Sequence, residues 1–351
     1  MSQPGTMARA QKERLSGLLK QVSRSFYLTL CVLPRRIRPQ IGLAYLLART
    51  TDTIADTDLV PLEQRLQHLR ALCDRMLGRG AAPLDFGVLA SQQASPAERI
   101  LLERCEASLA LLLTLSAADQ QLMREVLQII TSGQELDLRR FASASATRIV
   151  ALPSDAELVD YTYRVAGCVG EFWTKLCRSH LFPDDPLNDT SLLTNSVRFG
   201  KGLQLVNILR DLPRDLRQGR CYLPAERLAA SRLRPEDLLE PTNEPRLRPL
   251  YDAYLDLATG HLQAGGAYTN ALPRRCVRVR LACAWPILIG RETLKLLRAS
   301  NVLDPQQRIK VSRQQVRQLR LRSVLLYPWA SAWEKLVSAP TTAPAKVPAA
   351  R

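Results

Sequence analysis

Two acidic pairs, Asp52-Thr-Ile-Ala-Asp56 and Asp211-Leu-Pro-Arg-Asp215, each sit on an otherwise oily stretch of this chain. Residues four apart project from one side of an α-helix. Carboxylates on an apolar helix are costly unless a cation meets them, so the fold must bring positive charge to both places. A metal ion bound to phosphate is the simplest such partner. At helical spacing Ile41, Tyr45, Arg49, Asp52 and Asp56 form one stripe, and Gly200, Gln204, Asn207 and Asp211 form another. Solvated surface faces are the competing reading, but the flanking Val197, Phe199, Leu203, Leu205, Val206, Ile208, Leu209 and Leu212 argue against it.

The same helical spacing recurs over 98–115, 117–141, 155–181 and 274–298, and alternating strand patterns are hard to find. The expected fold is all-α. With 351 residues, 46% of them hydrophobic, the chain can bury a sizeable core. One helical domain is expected over 13–336, between unstructured ends at 1–12 and 337–351, the latter rich in Ala and Pro. Breaks are expected at 78–95, at the Phe182-Pro-Asp-Asp-Pro186 turn and over 233–249. Pro213 should kink or end its helix between Asp211 and Asp215, which makes Asp211 the safer ligand.

Four blocks stand in register: Ser23-Arg-Ser-Phe-Tyr27, Arg49-Thr-Thr-Asp-Thr-Ile-Ala-Asp56, Tyr161-Thr-Tyr-Arg-Val-Ala-Gly-Cys-Val-Gly170 and the stretch from Gln204 through Arg-Asp-Leu-Pro-Arg-Asp to Pro224. Together, over roughly residues 20 to 320, they resemble the squalene/phytoene synthase family. The resemblance implies an isoprenoid-synthase-like helical bundle whose two aspartate-rich helices face each other across a central cavity. It also implies head-to-head condensation of two prenyl diphosphates, with magnesium ions, or manganese in their place, holding the diphosphates. Asp52, Asp56, Asn207, Asp211 and Asp215 would be the metal ligands. Magnesium prefers oxygen and is commonly bound by one or two carboxylates plus substrate phosphates, and metal-neutralised diphosphate is a better leaving group.

Position by position, Ser23, Arg24, Arg49, Gln204, Asn207 and Arg220 match residues that contact diphosphate, a task suited to arginine's planar fork. Tyr161 matches the tyrosine facing the reacting carbons. Val165, Val169 and Phe172, in line with Tyr161 at α-helical spacing, are candidates for an apolar wall that keeps water from a carbocation. Arg210, Arg220 and Tyr222 resemble a lid region following the second motif. The chain departs from the family at two places. Thr53 and Ala55 stand where many members have further acids, and Pro213-Arg214 replaces a common Gly-Glu, so each site is one carboxylate poorer.

A net charge of +16 with clusters at Arg35-Arg36-Ile-Arg38, Arg274 to Arg280 and Arg308 to Arg322 suggests an anionic partner. A basic helical nucleic-acid-binding protein is the rival from another class. Aromatics at 5% leave few stacking platforms among these arginines, so no nucleic-acid partner is expected and an anionic membrane surface is. No apolar run reaches the roughly 20 residues of a membrane span, no signal peptide is recognisable, and eight cysteines lack CxxC spacing. These features read as a cytoplasmic protein, peripheral on the inner face of the membrane; the sequence leaves the oligomeric state open, with a monomer favoured. Within the family the wording lies closer to the squalene branch: two farnesyl diphosphates joined through presqualene diphosphate and reduced by NADPH. Phytoene or dehydrosqualene is the alternative product. Arg210, Lys310 and Arg313 match basic residues near the NADPH phosphate.

Overall fold

Leucine and alanine at helical spacing become helices almost throughout the computed structural model, which describes residues 17–22, 26–80, 82–307 and 309–338. The all-α expectation holds. The named strands among the described residues are two-residue pieces, Val150–Ala151 and Arg220–Cys221, paired in parallel. The chain gathers into two compact units, one of described residues up to 139 with 175–183, the other of 140–174 with described residues from 184 onward.

In the first unit, Arg38–Asp56 packs beside Leu62–Met76, Pro96–Glu103 and Cys105–Leu112. Leu47, Ile54, Leu66, Leu69, Leu72, Leu102, Met123 and Leu127 are among its buried residues. The run expected to be one helix over 98–115 is broken at Arg104, whereas Ala117–Arg140 stops one residue short of expectation. A buried carboxylate, Asp119, accepts from Gln40 Nε2 at 3.2 Å and lies 2.7 Å from His180 Nε2. That network ties three segments together, because a buried charge is tolerable only when hydrogen-bonded.

In the second unit, Asp189–Arg217 packs on Glu244–Ala271, and both contact Val277–Arg298. Asn188 caps the first of these helices by accepting from the Ser191 amide at 2.9 Å. The expected end of this helix at Pro213 does not occur: the helix runs through Pro213 to Arg217, so Asp211 and Asp215 share it. Proline lacks the amide that would satisfy the carbonyl four residues back, here that of Leu209. The fully buried Tyr251 hydroxyl donates to the Leu209 carbonyl at 2.8 Å and replaces the lost partner. Tyr251→Phe should therefore lower stability by about 1–3 kcal/mol, read as a fall in the urea midpoint. A variant as stable as the parent would assign the carbonyl another partner.

The expected break over 233–249 is only half right. Two short 3-10 turns, Pro235–Leu239 and Pro241–Asn243, occupy its start, and a helix begins at Glu244 with Pro245 in its first turn. There proline's fixed φ helps and its missing amide costs nothing.

The run over 155–181 is continuous but not uniform. Asp155–Thr162, capped by Ser154, passes through a π-helical turn, Tyr163–Gly167, into Cys168–Leu181. Two glycines explain how this segment lies against Asp189–Arg217. A Cβ at Gly170 would overlap the Ser196 carbonyl, and one at Gly200 would overlap the Ala166 carbonyl.

Candidate active site

The first acidic pair closes the Arg38–Asp56 helix. Its stripe passes from buried Ile41 through half-buried Tyr45, Arg49 and Asp52 to exposed Asp56. Arg49 Nη2 donates to Glu98 Oε1 at 2.6 Å, and Nη1 lies 3.8 Å from Asp52 Oδ2. Gln134 Nε2 donates to Asp52 Oδ1, while Gln134 Oε1 is buried with no donor. Burial, and after it the Asp56 charge, pushes the Asp52 carboxyl up to about 7, against the pull of Arg49 and the Gln134 hydrogen bond. With 46% of its side chain still open, Asp52 remains reachable by an incoming cation.

A carboxyl raised by its acidic neighbour, beside an unsatisfied amide oxygen, makes a donor set rich in oxygen. It fits a hard divalent ion that completes its shell with substrate oxygens. Among the described residues no three of His, Cys, Asp and Glu gather to hold a metal; the acidic donors stand as pairs.

The second acidic pair lies near the end of Asp189–Arg217. Gln204 and Asp211 are half-buried, Asn207 is exposed and Asp215 half-buried, so the stripe is more open than Leu205, Val206, Ile208, Leu209 and Leu212 around it. Arg210 grips its neighbour Asp211 with both prongs, Nε to Oδ1 at 2.8 Å and Nη2 to Oδ2 at 2.6 Å. That hydrogen-bonded pairing, with Asp211 and Asp215 charges added, raises the Arg210 guanidinium further above its already high value. Arg210 thus offsets the charge of one carboxylate of the pair, and a cation approaching Asp211 would compete with it.

Tyr161 is buried and stacks on Tyr222, ring centroids 4.8 Å apart and planes 25° apart. Tyr222 meets Phe141 edge-on at 5.2 Å, and the Arg220 guanidinium sits over Phe141 at 6.0 Å. The sequence after the second motif, expected as a lid, is tied down here. The Val150 amide bonds the Gly219 carbonyl at 2.8 Å and the Leu152 amide bonds the Cys221 carbonyl at 3.0 Å. Gly219 ends the long helix at φ +78°, which admits glycine freely.

The π turn also corrects the expected alignment of Val165, Val169 and Phe172 with Tyr161. One turn closed by i→i+5 bonds holds more residues than an α turn and rotates everything after it away from strict α spacing. Accordingly Val165 is half-buried, Val169 is 39% exposed and Phe172 is 5% exposed. Lys310 and Arg313 are exposed at the start of Arg313–Leu326. Ser23 and Arg24 lie outside the described residues, as does Arg308. Gln134, Glu98 and Phe141 were not singled out from sequence. Gln134 carried a signal, a polar residue at an otherwise buried helical position, whereas the pairing of Glu98 with Arg49 across 49 residues left none.

A family model described as squalene/phytoene synthase matches residues 19–315. The bifunctional lycopene cyclase/phytoene synthase of Colletotrichum graminicola is 32% identical over 231 residues, 64% of this chain and 36% of that protein, so the chain aligns with only about a third of it. The presqualene diphosphate synthase of Rhodopseudomonas palustris is 29% identical over 294 residues, 82% of this chain and 88% of that one. Among solved structures, TcSQS in complex with the ligand E5700 superposes with a TM-score of 0.73 at 20% identity, covering 94% of this chain and 98% of that one. The last likeness speaks for the fold.

Proposed function

Because this chain belongs to the squalene/phytoene synthase family, a family of prenyltransferase-type enzymes, we propose that it condenses two farnesyl diphosphates head to head. The carrying observation is that both acidic pairs lie within the matched region, each on one helix, and that one carboxyl there is pushed up to about 7 by burial and its acidic neighbour. In this reading the first turnover joins two farnesyl chains into presqualene diphosphate, releasing one diphosphate and one proton. The second releases the other diphosphate, and hydride from NADPH quenches the cation to give squalene.

Asp52 and Asp56 on one helix, and Asn207, Asp211 and Asp215 on the other, would hold magnesium. When bound, that ion supplies positive charge to the leaving diphosphate. Ser23, Arg24, Arg49, Gln204 and Arg220 would grip diphosphate oxygens, with Arg49 held in place by Glu98 until substrate competes for it. Tyr161, fixed by its stack on Tyr222, would present a ring face to developing positive charge. Phe172 and Val165 would help exclude water. Lys310 and Arg313 are the cations proposed for the NADPH phosphate.

The Rhodopseudomonas relative, matched over 88% of its length, favours a second reading in which the reaction stops at presqualene diphosphate. Incubation with farnesyl diphosphate and magnesium, with and without NADPH, followed by mass spectrometry separates the two. Squalene formed only with NADPH supports the full sequence, and presqualene diphosphate persisting in both supports the shorter one. Phytoene from geranylgeranyl diphosphate, with farnesyl diphosphate left unused, overturns both.

A further inference from the structure

Large apolar side chains are exposed at scattered points over the described residues, but four of the thirteen fall within nine residues. They are Leu321 at 54%, Val324 at 49%, Leu325 at 67% and Trp329 at 62% exposed. Singly exposed leucines need no explanation; a contiguous group does.

The Arg313–Leu326 helix that carries three of them cannot roll to hide them. It starts from a capping box in which the Ser312 amide bonds Gln315 Oε1 at 2.9 Å and the Gln315 amide bonds Ser312 Oγ at 3.2 Å. Its underside is pinned: fully buried Ser323 accepts from Trp285 Nε1 at 3.0 Å, and the Arg320 guanidinium stacks over the Trp285 ring at 4.5 Å. At about 100° per residue, Leu321, Val324 and Leu325 share an arc of about 100° turned away from Ser323, with exposed Arg322 beside it and exposed Arg317 within it one to two turns earlier. Beyond the helix the Tyr327 hydroxyl donates to the Arg274 carbonyl at 2.5 Å, and Arg274 Nη2 donates to the Pro328 carbonyl at 3.1 Å. This joins the patch to exposed Arg274, Val277 and Arg278.

We propose that this arc, Leu321, Val324, Leu325 and Trp329 fringed by Arg317, Arg322, Arg274 and Arg278, docks the protein onto an anionic lipid bilayer. Charge selects the occupant. From Ile309 to Trp329 the chain carries Lys310, Arg313, Arg317, Arg320 and Arg322 and no carboxylate. A second copy docking by the same face would oppose like charges. An anionic surface gains from every arginine while leucine and tryptophan enter the headgroup boundary. No helix among the described residues is long and apolar enough to cross a membrane, so the contact is one of lying on the surface. The inference does not depend on the catalytic reading.

The test is flotation of the full chain with vesicles of phosphatidylglycerol and phosphatidylcholine, against phosphatidylcholine alone, at physiological salt. Binding is expected to the anionic vesicles, with at least about a tenfold loss of partitioning in Leu321→Glu/Leu325→Glu. A blue shift of tryptophan emission on vesicle addition should vanish in Trp329→Phe. If the double glutamate variant does not fold, Arg317→Gln/Arg322→Gln decides, with weaker binding expected. Failure of the parent chain to float, or unchanged binding in the variant that folds, overturns the proposal. So does a dimer in solution that the glutamates dissociate without any vesicle binding.

Discussion

Asp52→Asn is expected to lower turnover by about 10²–10³-fold, the scale of losing one preorganised charge contact to a leaving group, while the protein folds as before. Asparagine keeps the size of the side chain and can keep the Gln134 contact by presenting its own oxygen to that amide. What it loses is the charge. In the free protein that charge is a burden: burial and the Asp56 carboxylate together push Asp52 up to about 7. A carboxyl raised in the folded state binds protons there that it would release on unfolding, so it draws stability away as pH climbs from the ordinary carboxylate range towards 7. Removing it should leave the magnesium-free protein at pH 8 no less stable than the parent. The combination of lost turnover, unimpaired melting temperature and weaker Mn²⁺ binding by electron paramagnetic resonance identifies a ligand. Near-parental turnover from a folded variant would remove Asp52 from the metal assignment. Asp211→Asn tests the other helix by the same three readouts, with the added expectation that Arg210 is released from its fork.

The acidic pairs were legible because both the spacing of their residues and the helix they sit on are local properties. Ala117–Arg140 was legible for the same reason, ending within a residue of where its apolar spacing stops. The continuation of the helix through Pro213 was not legible because the proline's compensation is not local. The carbonyl it strands is satisfied by Tyr251, 42 residues from Leu209, and no pattern around Pro213 announces that partner. The π turn at Tyr163–Gly167 is likewise invisible to a reading that assumes a constant period, since one residue of slippage leaves composition unchanged and alters only which side chains align. The Tyr161 stack shows the same division. Tyr161 was found through its motif, but the rings that hold it belong to Tyr222 and Phe141, on segments 61 and 20 residues away in the numbering. A helix face can be read from periodicity, whereas what presses against that face depends on tertiary packing.

Glycine supplies the second large effect, because at one position its missing side chain sets the distance between two backbones. Gly200 lies on the stripe that leads to Asp211, and a Cβ there would overlap the Ala166 carbonyl and stand 3.0 Å from Gly167 Cα. Both contacts are backbone atoms of the π turn, so no side-chain rotation can make room. Either the Asp189–Arg217 helix or the turn following Tyr161 must move. Overpacking of this kind costs about 1–3 kcal/mol and occasionally more, so Gly200→Ala should melt several degrees below the parent, given about 2–4 °C per kcal/mol at this size. Turnover should fall along with stability, because the displaced turn directly follows the helix that carries Tyr161. Gly260 supplies the opposite sign. It too is helical, within Glu244–Ala271, but a Cβ there meets nothing within 4 Å. Alanine at Gly260 removes freedom from the unfolded chain without adding strain, and should stabilise by about 0.4–1 kcal/mol. The same substitution thus destabilises at one helical glycine and stabilises at the other. Thermal melts of the two single variants with turnover measured alongside decide it, and a Gly200→Ala protein as stable and active as the parent would mean that the crossing is looser than this geometry requires.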